Sequence, residues 1–153
     1  MFQRILIATD GSAKSNVAAN NGIELAKSLG AQVIVLYVVN EVVIASAVRH
    51  LGSDRKEVEG KLQDAGRKAV ESVKKMGDEV GVNVEPIVRI GAPAEVIVST
   101  AGSEKADLVV MGSHGKGLWE RLTVGSVTQA VLRRITRPML IVRGADGPHG
   151  SSG

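Results

Sequence analysis

Short β-branched runs alternate with amphipathic stretches along the whole chain. The apolar runs are Ile5–Ala8, Val33–Val39, a charge-interrupted stretch from Val82 to Ile90 that contains Pro86, Leu108–Met111, and Met139–Val142, which is entered through Pro138. Nearly continuous Val, Ile and Leu over such short lengths predicts strands covered on both faces. Helical spacing fills the gaps. Ala18, Gly22, Leu25 and Leu29 fall on one face, and Gly30 supplies a stop. A long helix is predicted from Asp54 to Val80, with Val58, Leu62, Ala65, Ala69, Val73, Met76 and Val80 on its inner face and Gly81 as its end. Its outer face carries Glu57–Lys61, Asp64–Lys68 and Glu71–Lys75, spaced i,i+4 with the acid first. A further helix opens at Pro93, where a missing N–H costs little, and another runs from about Ser126 to Arg134. The stretch Glu41–Gly52, with Val42, Val43, Ile44, Val48 and Leu51, predicts a connection with a helical turn packed on the core; a mobile partner-binding surface is the alternative.

The order is therefore β-α-β-α-β-α-β-α-β, an α/β domain with a parallel, doubly wound sheet. Residues 1–143 hold this single domain. Residues 144–153, with four glycines, one proline and no large apolar side chain, are expected to form a flexible tail. Ligands in such sheets bind beyond the carboxyl ends of the strands, where the strand order switches.

Composition narrows the chemistry. Aromatic residues are 2% of the 153, so the core must be built from Val, Ile, Leu and Ala. The absence of cysteine excludes disulfides, thiolate nucleophiles and thiolate metal sites, and it fits a cytoplasmic location. The opening run is broken by Asp10, too early for a secretory signal, and no run approaches the roughly 20 apolar residues of a membrane span. A formal net charge of +3 leaves no nucleic-acid footprint. Arg133, Arg134 and Arg137 cluster at a helix end, where cations complement the dipole, and no aromatic stacking residues accompany them. His50, His114 and His149 have no metal-ligand spacing.

The informative segment follows the fourth apolar run. It reads Gly112-Ser113-His114-Gly115, then nine residues, then Gly125-Ser126. A phosphate chain needs converging backbone N–H groups with no side chains in the way, and glycines permit both the turns and the close approach. Gly125-Ser126 opens a helix whose free N–H groups favour anions. Ser126 with Gln129 also reads as a capping box, so its hydroxyl has two candidate employers. Structural turns and caps use the same residue types. The segment is neither a P-loop nor a dinucleotide fingerprint, because it has no Gly-Lys-Ser/Thr and no third glycine after Gly115-Lys116-Gly117. Lys116 and Arg121 could neutralise phosphate charge or simply be solvated.

Gly-x-x-Gly, nine residues, Gly-Ser/Thr resembles the ATP-binding signature of universal stress proteins. Arg4–Ser12, Gly91–Ile97, Ala106–Gly115 and Arg137–Val142 are also similar to that family, and the resemblance spans residues 3 to 143. It implies a Rossmann-like, adenine nucleotide α-hydrolase-like sheet of five strands in the order 3-2-1-4-5. It implies that Thr9, Asp10, Val38, Gly112, Ser113, His114, Gly115, Gly125, Ser126 and Val127 bind ATP, AMP or ADP. Asp10 would meet the ribose or a phosphate-bound Mg2+, Val38 would offer its backbone to adenine, and the glycine segment would hold ribose and phosphates. It further implies a homodimer joined through the edge strand Met139–Val142. The function expected is that of a nucleotide-dependent regulatory or stress-response protein that hydrolyses ATP slowly or not at all and is read by a protein partner, with neither nucleic acid nor membrane involved. Two alternatives stand beside it. One is an enzyme that cleaves ATP between the α- and β-phosphates; relatives of that kind carry a Ser-Gly-Gly loop after the first strand, where this chain has Thr9-Asp10-Gly11-Ser12. The other is an interaction protein that uses no nucleotide.

Overall fold

The computed structural model describes residues 2–113 and 124–143. Along the chain these form β1 (Arg4–Ala8), α1 (Ala13–Leu29), β2 (Gln32–Asn40), α2 (Glu41–Leu51), α3 (Arg55–Val80), β3 (Val84–Gly91), α4 (Pro93–Ser103), β4 (Leu108–Gly112), α5 (Ser126–Arg134) and β5 (Met139–Val142). All strand pairs are parallel and the order is β3-β2-β1-β4-β5, as expected. No helix among the described residues is long and apolar enough to cross a membrane.

Alternation along the strands divides the core between the two faces of the sheet. Ile5, Ile7, Val33, Val35, Tyr37, Val39 and Val110 face α1 and α3, where they meet Ala19, Ile23, Ala26, Val70 and Val73. Leu6, Ala8, Ile34, Leu36, Val109 and Met111 face the other way, against Ile97 and Ala101 of α4 and Val131 of α5. Pro86 is tolerated inside β3 because β3 is an edge strand. Asn83 accepts from the Val33 N–H, so Glu85 and Ile87 turn their backbones toward β2 and Pro86 turns outward, where no N–H is needed. Gly30 and Gly81 stop α1 and α3 in the left-handed conformation, with φ of 67° and 79°.

Three expectations need correction. The Glu41–Gly52 connection is a regular 11-residue helix, so α2 adds a helix to the predicted order. The Asn40 side chain caps it by accepting from the Val42 N–H at 3.0 Å, and Gly52 ends it at φ 66°. Only Ile44 is buried, on the α1/α3 side, while Val42 and Leu51 stay exposed. On α3, the fully buried positions are Gly66, Val70, Val73 and Gly77, and Ala65 and Val80 are exposed. The inner stripe is turned toward the glycines because strand side chains press into them: a methyl group at Gly66 would lie 2.7 Å from Tyr37 Cδ1. The surface pairs on α3 are Arg55–Glu59, Asp64–Arg67 and Lys74–Asp78 in place of the three expected ones. Exposed pairs of this kind contribute little, so their choice is governed by rotamer freedom.

The close approach of α3 to the sheet gives a paired prediction. At Gly77 an added methyl group would come within 2.9 Å of the Val82 carbonyl oxygen, which belongs to the backbone and cannot step aside, whereas nothing lies within 4 Å of such a group at Gly60. Gly77→Ala should therefore lose stability, overpacking of about 1–3 kcal/mol outweighing a helix-propensity gain of about 1 kcal/mol. Gly60→Ala should gain about 0.5–1 kcal/mol. Urea midpoints measure both, and a Gly77→Ala variant more stable than the parent contradicts the packing described.

Candidate functional site

The carboxyl ends of β1, β2 and β4 meet where the strand order switches. β1 pairs with β2 up to Ala8↔Leu36 and with β4 up to Ile7↔Val110. Carrying these registers forward places Thr9 and Asp10 level with Val38 of β2 and with Gly112 and Ser113 of β4. Of the expected site residues, Thr9, Asp10, Val38, Gly112, Ser113, Gly125, Ser126 and Val127 therefore collect at one end of the sheet. His114 and Gly115 lie outside the described residues.

Val38 has an opening on one edge. Leu36 accepts from the Thr9 N–H at 2.9 Å, so Leu36 turns its backbone toward β1. In a parallel ladder every second residue faces the same neighbour, so the Val38 N–H and C=O also face that side. There β1 has already left the sheet, and among the described residues no backbone group fills the gap. The side chain of Val38 is half-buried against the α4/α5 core.

Two helix N-termini border this end, and they differ. At α1 the turn is closed on itself. The Asp10 N–H reaches Ser15 Oγ at 3.4 Å, the Gly11 N–H reaches Thr9 Oγ1 at 3.1 Å, the Ser12 N–H reaches Asp10 Oδ1 at 2.9 Å, and the Ser15 N–H reaches Ser12 Oγ at 3.2 Å. Buried Thr9 and Ser15 share a hydroxyl contact of 2.9 Å that locks the arrangement. Ser12 is thus the cap of α1. Asp10 serves the turn with Oδ1 only, and Oδ2 has no partner among the described residues.

At α5 the end is open. Gly125, not Ser126, is the N-cap, and no side chain caps the helix. The capping box expected of Ser126 and Gln129 does not form, because Gln129 donates its side-chain amide to the Val124 carbonyl at 2.6 Å. The Ser126 hydroxyl has no partner among the described residues and is exposed. The Gln129 N–H is the first to bond back into the helix, to Gly125 O at 2.9 Å, so the N–H groups of Ser126, Val127 and Thr128 have no partner among the described residues. Not every amide of the segment is available: Ser113 N–H donates to Val142 O at 2.9 Å, and Gly125 N–H donates to Ser113 O at 2.6 Å. These two bonds hold the segment against the sheet. Buried Thr128 adds a tie that the sequence did not signal, its hydroxyl donating to Gly112 O at 2.9 Å.

Of the cations near α5, Arg137 has structural work. Arg137 donates to the Ala101 carbonyl at 2.5 Å in the last turn of α4, and Arg134 lies 4.0 Å from Glu95. No group of three His, Cys, Asp or Glu residues among the described ones is arranged to hold a metal by itself. Removing the Thr128 tie should be measurable: Thr128→Val leaves the Gly112 carbonyl unmet and should cost about 1–3 kcal/mol. An unchanged urea midpoint would show the bond to be unimportant.

The universal stress protein family model matches residues 1–143. Universal stress protein MJ0531 of Methanocaldococcus jannaschii is 37% identical over 144 residues, covering 94% of this chain and 83% of that protein. The solved structure of MJ0577, from the same organism, superposes with a TM-score of 0.80 at 31% identity, covering 96% of this chain and 99% of that one. A universal stress protein solved in complex with cAMP shares the fold, with a TM-score of 0.67 at 24% identity over 93% of this chain and 97% of that one. With the predicted strand order present and the family model matched over nearly the whole chain, this protein belongs to the universal stress protein family.

Proposed function

We propose that this protein binds ATP, or another adenine nucleotide, at the carboxyl end of the sheet and acts as a nucleotide-dependent regulatory protein. The contrast between the two helix N-termini carries the reading. The N–H groups of Ser126, Val127 and Thr128, with the Ser126 hydroxyl, have no partner among the described residues and suit phosphate oxygens. The outward backbone edge of Val38 suits the hydrogen-bonding edge of adenine. Gly112 and Ser113 form the floor between them, and His114 and Gly115 complete the signature in sequence. A relative solved with cAMP supports an adenine nucleotide as the ligand class.

Mg2+ fits the residues present. Asp10 offers one carboxylate oxygen not used by the turn, and one carboxylate combined with phosphate oxygens is a usual way to hold Mg2+. The ion would neutralise phosphate charge beside Asp10. The closed α1 turn argues against cleavage between the α- and β-phosphates, because the amides that would grip pyrophosphate there are already bonded to Thr9, Asp10, Ser12 and Ser15. Positioning of an attacking water needs a base, and Asp10, the carboxylate among the described site residues, is held by the turn through Oδ1, which supports slow or absent hydrolysis.

Calorimetric titration with ATP should give saturable binding that is tighter with Mg2+ than with EDTA. In Asp10→Asn the advantage of Mg2+ should largely vanish. Trp119, the sole tryptophan, lies inside the nine-residue segment and should report binding by fluorescence. A flat titration with unchanged fluorescence rejects the reading.

The homodimer belongs to the same proposal. Pro138 accepts from the Val109 N–H and Val142 from the Ser113 N–H, so Pro138, Leu140 and Val142 turn toward β4. Met139 and Ile141 then turn their backbones outward on an unpaired edge, the feature that invites a second strand. Ile141→Pro removes an outward N–H and leaves the inner ladder intact. Sedimentation should show a dimer for the parent and a monomer of preserved circular dichroism for the variant; a dimer in both places the interface elsewhere.

A further inference from the structure

On the α1/α3 side of the sheet, away from α5, a hollow of about 340 Å3 lies between the β1–α1 turn, the end of β2 and α3; Asp10, Asn16, Tyr37, Lys68 and Ser72 supply its polar groups. The volume falls at the small end of ligand sites, about 300–1,000 Å3. Its existence follows from small residues. Gly66 lets the Tyr37 ring slide beneath α3, and the α3 wall above the ring is made by Ala65 and Ala69, which leave the space unfilled.

Two observations distinguish this hollow from a surface dent. Tyr37 is nine-tenths buried, at 9% exposure, yet its hydroxyl has no hydrogen-bond partner among the described residues. A buried phenol normally finds one. Lys68 is the second. Its expected partner Asp64 pairs with Arg67 instead, leaving the Lys68 ammonium on the rim without an ion pair among the described residues. Asp10, whose Oδ2 has no partner among the described residues, lines the same hollow from the β1–α1 turn.

We propose that this hollow is a second binding site, for a small amino or hydroxy acid. The carboxylate of the ligand meets Lys68, the Tyr37 hydroxyl and Ser72. Its amino or hydroxyl group donates to Asp10, and Asn16 bonds either end. A simple anion such as phosphate satisfies the cationic side but faces the Asp10 carboxylate, so the charge pattern selects a ligand that carries a donor as well as a carboxylate. Asp10 is the one residue shared with the nucleotide reading, and titrations made without nucleotide keep the two separate: failure of ATP binding leaves this site untouched.

Tyr37 is the only tyrosine in the chain, so its ring resonances report this hollow alone. NMR titration of the nucleotide-free protein with L-serine and with glycerate should move those resonances saturably, with dissociation constants on the order of 1 mM. Acetate and inorganic phosphate, which lack the pairing of donor and carboxylate, should bind at least about fivefold more weakly, the loss expected for one hydrogen bond. Tyr37→Phe, which keeps the ring packing, and Lys68→Gln should each weaken serine or glycerate about tenfold, read for the Phe variant by calorimetry. The proposal is overturned if neither acid shifts the Tyr37 ring, if both variants bind as the parent does, or if acetate or phosphate binds as tightly as the acids.

Discussion

The site depends on where the central strand stops. β1 leaves the sheet after Ala8, while β2 on one side runs to Asn40 and β4 on the other runs to Gly112. Its early exit uncovers the inner edge of β2 at Val38 and opens a notch between the two flanking strands. A longer β1 would pair that edge and fill the notch. The stop is chemical: Thr9 makes a last ladder bond to Leu36, its hydroxyl then accepts from the Gly11 N–H, and Gly11 at φ 81° completes the bend. Everything assigned to the carboxyl end follows from this bend being tight and internally bonded.

The same bend explains a division of labour between two helices that begin at one end of one sheet. An N-terminus attracts anions only while its N–H groups are unmet. α1 has a side-chain cap, Ser12 taking the Ser15 N–H, and the turn before it bonds the N–H groups of Asp10, Gly11 and Ser12 to its own side chains. α5 starts at a glycine with no side chain to offer, and its first three N–H groups have no partner among the described residues. Asp10 thus stands in the capped turn before α1, while the helix start without a side-chain cap is tied to the end of β4 through Ser113.

Much of the architecture was legible because each strand is a compact apolar run and because Gly30, Gly81 and Pro93 mark helix boundaries by backbone geometry that holds in any context. What escaped depended on contacts between distant segments. Val42-Val43-Ile44 is a β-branched run that gives no clear helical signal, and of it only Ile44 is buried. On α3 the buried line passes through Gly66 and Gly77, which a search for apolar side chains passes over; Tyr37 and Val84, far away in sequence, are what make glycine necessary there. The glycine spacing of the site was visible, yet which amides remain unspent was not. The Ser113–Gly125 bond and the Thr128 tie arise only once β4 and α5 are placed together, and the Thr9–Ser15 contact only once the chain turns from β1 into α1. Ser126 was read as the cap because Ser is the usual residue for that role, whereas the chain enters the helix one residue earlier.

Asn40 is both the last residue of β2 and the cap of α2, so strand and helix are joined without a linker. Slack is what ordinarily insulates a surface helix from the sheet beneath it, and here there is none. The direction of α2, whose outward valines and Leu51 face solvent, is therefore set by the last residues of β2, two positions from Val38, so the exposed helix and the edge opened by β1 share one stretch of backbone.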